Sequence, residues 1–169
     1  VTARLLEDKR TIIKGRSFVN YGFYLGVSSS NLEEIDNVRN IAGLKYFMGN
    51  TTGAESSGDV LEKVFNKKDM LVAVHAEDED TILANLAKMG KDIKPEQHSH
   101  IRSRLAAYKA VKAVLHLAKK YDRRVHICHV SCREELKEIL AFKSDKVTFE
   151  VTPHHLFLTE EAYEKGRNF

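Results

Sequence analysis

The sequence predicts an α/β fold in which βα units build a parallel sheet of the (β/α)₈ TIM-barrel type. Strand-like and helix-like segments alternate along the 169 residues. The strand-like segments are nearly continuous apolar runs, which indicates that both of their faces are covered, and the helices between them can serve as crossovers. A whole barrel needs ~250 residues, so we expect about strands 3 to 7 of one, within a single domain over residues 1–169. A complete small doubly wound domain is the alternative.

Five strands are expected, each separated from the next by helical sequence. Residues 30–41 begin with Ser30 and Glu33 at capping-box spacing, and Ser131 and Glu134 repeat that spacing before another helix. A further helix carries apolar residues at helical spacing from Ile101 to Ala118, including Leu105. The five predicted strands cover residues 17–27, 43–49, 71–77, 124–131 and 146–156.

Composition excludes several classes of function. Apolar residues make up 43% and charged residues 30%, as in an ordered globular protein. The net charge is only +3, and the basic residues are interspersed with acidic ones along the chain, so no nucleic-acid partner is expected. Only two cysteines occur, which favours a reducing compartment. Without a signal-peptide pattern or a long apolar run we expect a cytoplasmic protein with no membrane contact. Val1 in place of a methionine and the charged C-terminal residues indicate a piece of a longer chain.

Potential metal ligands and titrating groups lie late on four consecutive predicted strands. In parallel α/β folds the functional site lies at the carboxyl ends of the strands, so this placement is informative. A single histidine at a strand end is more often structural than a ligand, but several together favour a site. The residues concerned are Lys45, His75 with Glu77, His129, and the pair His154 and His155.

The alternation of side chains along a strand refines this choice. Val125, Ile127 and His129 fall on one face of their strand, so we expect His129 to point into the site if that face lines a barrel. His126 then packs towards the helices, and Cys128 is a small core residue beside the site. The other histidines, His98, His100 and His116, are expected to be structural or solvent-facing.

Lys45 stands inside the apolar segment "GLKYFMG". A buried ammonium group is costly, so this lysine should be paired, neutral or chemically modified. A neutral lysine amine can add CO₂ and become a carbamate, a carboxylate-like group able to bridge two metal ions. The alternative is that the side chain extends out of the strand end to a carboxylate.

Four motifs occur in a fixed order with a βα unit between each. They are "LKYFMGNTTG", "VAVHAEDEDT", "HICHVSCREEL" and "FEVTPHHLFLT". Together they closely resemble the dihydroorotase family of the amidohydrolase superfamily, from Tyr21 onwards. The resemblance implies a metal-dependent hydrolase with a distorted (β/α)₈ barrel and two zinc ions. By position it implies that Lys45 is the carbamylated bridging lysine and that His75 and His129 are histidine ligands.

The resemblance also implies supporting residues. Thr51 matches a loop position that closes over substrate in some members, although ordinary turn chemistry explains it equally well. Glu77 and Glu150 could orient the ligands or satisfy nearby backbone groups. His154 and His155 are expected to support the site by hydrogen bonds or to lie near substrate, rather than to bind metal. These five residues are the predicted substrate-binding or supporting set.

Some parts of the family site have no counterpart in this sequence. The family takes a His-x-His pair and a substrate-binding arginine from its first strand, and a proton-shuttling aspartate from its eighth. The "HSH" of His98 to His100 follows the wrong strand to replace that pair. We therefore expect no catalytic acid or base within these residues, and an inactive protein if they stand alone.

The function that the resemblance implies is the reversible, zinc-dependent hydrolysis of dihydroorotate to N-carbamoyl-aspartate in pyrimidine biosynthesis. Two alternatives stay open. The first is a related cyclic amidohydrolase, because dihydropyrimidinases, hydantoinases and allantoinases share the barrel and the lysine; their segments resemble "FKxFMAY", "HAENG" and "CPQHL". The second is a non-catalytic subunit that assembles with a partner. A homodimer and association with aspartate carbamoyltransferase are the expected assemblies.

Overall fold

The computed structural model of the chain describes residues 2–49, 58–67, 69–90 and 92–165. Five strands form one sheet in which every neighbouring pair is parallel, in the order β1-β2-β3-β4-β5. The five strands predicted from the sequence are thus confirmed, each shorter than expected. Their bounds are β1 Tyr24–Val27, β2 Gly43–Phe47, β3 Val72–His75, β4 Val125–Ile127 and β5 Val147–Phe149.

Helices connect the strands, and two short 3₁₀ helices cover Pro95–Gln97 and Glu160–Lys165. None of the helices in the described ranges is long and apolar enough to cross a membrane. The helices are α1 Ala3–Ile13, α2 Glu34–Asn37, α3 Gly58–Lys67, α4 Glu79–Leu86, α5 His98–Ile101, α6 Arg104–Lys120, α7 Arg133–Phe142 and α8 Pro153–Phe157.

The strand order decides between the two predicted architectures. Each strand pairs with the next one along the chain, so the sheet never reverses its direction of growth. A doubly wound sheet requires such a reversal, whereas successive right-handed crossovers without one put the helices on a single side, as in a (β/α)₈ barrel. The barrel-type α/β fold class is confirmed, and the doubly wound alternative is wrong.

The apolar core lies between one face of the sheet and the helices. Alternate strand residues such as Leu44, Val74 and Ile127 are fully buried in one cluster with residues of α2, α3, α6 and α7. Helix α6 packs through small and branched residues, and Leu105, which was expected on its packed face, is 52% exposed. The alanines at 106, 107, 110 and 118 are the buried ones, because small side chains let the helix approach the sheet closely.

The fifth strand ends earlier than predicted. It stops at Phe149, and the residues from Pro153 to Phe157 form helix α8, with Pro153 in its first turn. Proline has no backbone N–H to pair with a neighbouring strand, and its fixed φ suits the first helical position. His154 and His155 are therefore helical residues beyond the sheet, and the prediction of a strand through residue 156 is wrong.

The predicted capping boxes are displaced. Helix α2 begins at Glu34 without a side-chain cap, and Ser30 instead lies in a turn where its hydroxyl is 3.0 Å from that of Ser28. Before α7 the cap is Cys132, one residue later than expected, with Glu135 as its partner. One carboxylate oxygen of Glu135 accepts the backbone N–H groups of Ser131 and Cys132, both at 2.9 Å.

Candidate metal centre

One row of side chains crosses the sheet on the face opposite the helices. Lys45 is the register partner of Ala73, which is in turn the partner of His126, and His126 is the partner of Thr148. His126 Nδ1 lies 2.9 Å from the hydroxyl of Thr148. The expectation that His126 packs towards the helices is wrong, because Val125, the residue before it, occupies that side and is completely buried.

His129 reaches this face by an irregular backbone turn. It follows β4 with φ of 40°, in the left-handed region that non-glycine residues rarely adopt. Strict alternation would have put it on the side of Val125 and Ile127, which is the core side. The turn instead brings its Nε2 atom to 3.0 Å from Nδ1 of His75, with the ring centroids 4.9 Å apart. The predicted proximity of His75 and His129 is confirmed, but for a different reason from the one expected.

His75 is held from its other nitrogen as well. Its Nε2 atom lies 2.7 Å from a carboxylate oxygen of Glu77, and the same oxygen contacts the guanidinium of Arg102. The side chains of His75 and Glu77 are only 16% and 15% exposed. Burial alone would raise the pKa of Glu77, but its hydrogen bond to His75 and the charge of Arg102 outweigh that effect and lower the pKa. In the neutral form of His75, a carboxylate that accepts Nε2–H leaves Nδ1 with its lone pair towards His129.

Lys45 lies beside these histidines on β2. Its Nζ atom is 3.4 Å from Sγ of Cys128 and 4.4 Å from the centre of the Phe47 ring. The Phe47 ring also contacts His75, with centroids 5.9 Å apart. Burial lowers the pKa of Lys45, and the neighbouring Cys128 and Glu150 only partly offset this. Cys128 lies beside the candidate site, as expected, but it is half-buried and is not the core residue that the sequence predicted.

The pKa of His129 is also below its ordinary range. Burial is the main cause, and the nearby charges of His75 and Lys45 add to it. A neutral imidazole is the form that offers a lone pair to a metal ion. Two such nitrogens 3.0 Å apart, one on a ring oriented by a carboxylate, are a donor set that suits a transition-metal cation.

A second group of potential ligands adjoins Lys45. His126, Cys128 and Glu150 each present one ligand atom, and these atoms lie within 4.8 Å of one another. Nε2 of His126 is 3.6 Å from a carboxylate oxygen of Glu150. Of these three, only Glu150 was assigned to the site from the sequence, because the facing of β4 could not be read from alternation alone.

The remaining predicted residues are placed as follows. The rings of His154 and His155 meet edge to face with centroids 4.2 Å apart, and both contact the hydroxyl of Thr152, at 3.2 and 3.0 Å. Burial lowers the pKa of His155, which interacts with the backbone of Val130 next to His129. Thr51 lies outside the described residues.

Arg102 was not identified from the sequence. It lies in a polar connection, 25 residues after the carboxylate that it contacts, and no motif distinguishes it from other surface arginines. Only the folded chain shows that it reaches Glu77.

Comparison with known proteins reveals relatives over nearly the whole chain. The dihydroorotase of Pyrococcus abyssi is 34% identical over 97% of this chain, and that of Methanosphaera stadtmanae 31% identical over 97%. These matches span 35% and 39% of the two relatives, so the chain covers little more than a third of their length. No protein-family model matches the chain.

Solved structures with the same fold carry related names. A D-hydantoinase superposes with a TM-score of 0.82 at 27% identity, covering 99% of this chain and 39% of its own. A dihydropyrimidinase from Brevibacillus agri superposes with a TM-score of 0.80 at 27% identity, covering 98% of this chain and 39% of its own. Over almost every one of its residues the chain is similar to dihydroorotases, and it shares its fold with cyclic amidohydrolases.

Proposed function

We propose that this chain is the central part of a dihydroorotase, which reversibly hydrolyses the cyclic amide of (S)-dihydroorotate to N-carbamoyl-L-aspartate in pyrimidine biosynthesis. The observation that carries the proposal is the 3.0 Å approach of His75 Nδ1 to His129 Nε2 on neighbouring βα units, beside Lys45. The dihydroorotase names of its relatives supply the substrate.

The proposed cofactor is a pair of zinc ions held in part by Lys45, His75 and His129. When bound, such a pair polarises a carbonyl group and activates water for attack on it. Carbamylation of Lys45 would convert a costly half-buried ammonium into a carboxylate able to bridge the two ions. Its position next to Cys128 and over the Phe47 ring holds Nζ on the sheet face where the histidines converge.

The other residues of the chain orient and surround this centre. Glu77 accepts a hydrogen bond from His75 Nε2 and so directs Nδ1 towards the metal position. Glu150 lies close enough to Lys45 to influence its charge. We assign Thr51, His154 and His155 to substrate binding or to support of the ligands, with His155 next to the turn that carries His129.

The proposed site also requires residues outside this sequence. None of the residues described here matches the proton-shuttling aspartate or the His-x-His pair of the family. We therefore expect residues 1–169 alone to be inactive. We propose that they form a single domain, and that the whole polypeptide is cytoplasmic. The proposed assemblies are a homodimer or association with aspartate carbamoyltransferase.

The test uses the full polypeptide that the gene encodes. We expect it to contain about two zinc ions and to open dihydroorotate, with activity lost in His129→Ala. His116→Ala is the matched control, because His116 lies on α6 and is exposed, away from the candidate centre. A protein that binds no zinc, or one in which His129→Ala retains full activity, would contradict the proposal.

The similarity to solved hydantoinase and dihydropyrimidinase structures favours one second candidate, a cyclic amidohydrolase of that substrate class. The same assay with hydantoin, dihydrouracil and allantoin beside dihydroorotate distinguishes the two. Preference for dihydroorotate supports the first proposal, and preference for any other ring replaces it. Zinc-free protein without activity on any ring would indicate the assembly subunit.

A further inference from the structure

A three-residue chain of contacts runs from the connection between α5 and α6 to the candidate metal centre. Arg102 contacts one carboxylate oxygen of Glu77, and the same oxygen lies 2.7 Å from His75 Nε2. The chain of contacts ends at Nδ1 of His75, which lies 3.0 Å from Nε2 of His129. We propose that Arg102 is a positioning residue for the metal centre, because it fixes Glu77 in the orientation that keeps His75 Nδ1 directed at the metal position. This inference rests on the proposed function.

The burial of the contacts makes Arg102 effective. Glu77 is 15% exposed and Arg102 27% exposed, so little water can replace either partner. Glu77 is two residues beyond the end of β3, where its side chain has several rotamers available. Charge-assisted hydrogen bonds from two sides select one of these rotamers, and bonds of that kind are about twice as strong as neutral ones. Without the guanidinium, the carboxylate would be free to turn away from His75.

Arg102 is itself held in place by both of its neighbours in the chain. The side-chain amide of Asn85 on α4 donates to the carbonyl of Ile101 and to the hydroxyl of Ser103, each at 3.1 Å. These bonds fix the short connection between α5 and α6 on which Arg102 lies.

The loop that carries Glu77 is hydrogen-bonded to α6, the helix that follows Arg102. The backbone N–H of Asp78, the residue after Glu77, donates to the carbonyl of Ala106 on α6 at 3.1 Å. Asp78 also caps α4 by accepting the N–H of Thr81. Arg102 and Glu77 are thus presented to each other by backbone that is fixed on both sides, which is what a positioning role requires.

A purely structural tie between α5 and β3 is the competing explanation. Such a tie would contribute to stability, but its loss would leave the intrinsic metal affinity of the folded protein unchanged. The two explanations therefore differ in zinc affinity measured on folded, metal-free protein, a quantity that does not depend on turnover.

The test measures zinc binding to the full polypeptide by competition with a chromogenic chelator, after circular dichroism has shown that each variant is folded. Loss of an outer partner of a metal-binding histidine costs 10–100-fold in affinity, so we expect Arg102→Gln to weaken zinc binding about tenfold. Arg102→Lys, which keeps the positive charge, should recover most of the loss. Arg104→Gln is the matched control on an exposed arginine two residues away and should bind as the unmodified protein does.

A double-mutant cycle identifies the route. In a Glu77→Gln background, adding Arg102→Gln should change zinc affinity by less than about twofold, because the carboxylate that Arg102 contacts is already absent. An equal loss in both backgrounds would overturn the inference, and so would normal affinity in Arg102→Gln with only a lower melting temperature. If the unmodified protein binds no zinc, the proposed function fails together with the inference, whereas zinc binding that is insensitive to Arg102 removes the inference alone.

Discussion

Lys45 on β2 and His126 on β4 are both register partners of Ala73 on β3, and so lie on the same face of the sheet. The opposite face carries Val72, Val74 and their neighbours, which are buried against the helices. Among the described residues, Lys45, His126 and Thr148 are polar side chains that strands contribute to the open face. This division places the candidate chemistry on the side that the helices leave free.

The first prediction concerns Lys45. Under the proposed function, Lys45→Ala in the full polypeptide should remove at least one of two zinc ions, because the variant lacks the proposed bridging carboxylate. Ring-opening activity should fall by more than the 10–100-fold that loss of an outer hydrogen-bond partner costs. Zinc content by elemental analysis and the dihydroorotate assay measure both effects. Lys63→Ala, at an exposed position on α3, serves as the control, and equal zinc content in the two variants would refute the assignment.

The second prediction tests the backbone turn at His129. Its φ of 40° is poorly tolerated by β-branched residues but accessible to asparagine. We expect His129→Val to be less stable than His129→Asn by about 1 kcal/mol. Both variants lack the imidazole, so denaturant unfolding in the presence of a metal chelator isolates the backbone effect. Equal stability would mean that the left-handed turn is not strained.

The third prediction concerns the close approach of β2 to the chain before β3. A Cβ atom on Gly43 would lie 2.5 Å from the carbonyl oxygen of Leu71 and 3.1 Å from the Tyr24 ring. Gly43→Ala should therefore destabilise the protein by about 1–3 kcal/mol, the usual cost of overpacking. A Cβ atom on Gly90 meets nothing within 4 Å, so Gly90→Ala should be nearly neutral. Unfolding midpoints of the two variants give the comparison, and similar values would contradict it.

The fourth prediction concerns the reactivity of Cys132. Burial raises the pKa of its thiol to about 12, and the nearby Glu135 carboxylate contributes to the rise. The sign follows directly: a raised pKa keeps the thiol neutral, so at pH 9 only about one in a thousand molecules carries the reactive thiolate. In a Cys128→Ala variant, alkylation by iodoacetamide, followed by intact mass, should be slow and should show no inflection up to pH 9. A midpoint near pH 8.5 would disprove the pKa rise.

The amino-acid sequence determined the number, order and type of the strands in this protein. Apolar runs alternating with helical sequence are local patterns, and they were sufficient to predict five parallel strands, whereas the strand order in the structure was needed to decide between a barrel-type and a doubly wound sheet. The placement of Lys45, His75 and His129 near one edge of the sheet also followed from sequence, since parallel strands end together. These features depend on short stretches of chain and on general rules of sheet topology.

The tertiary structure decided which face of each strand is inside and which distant residues meet. Alternation along β4 separates His126 from Val125, but only packing against the helices shows that Val125 is the core residue. The left-handed turn at His129 interrupts the alternation, and histidine tolerates such a turn without requiring it. Arg102 reaches Glu77 across 25 residues because α4 and α6 bind the loops on both sides. Side-chain direction and long-range contacts arise from packing of the whole chain, which no local pattern encodes.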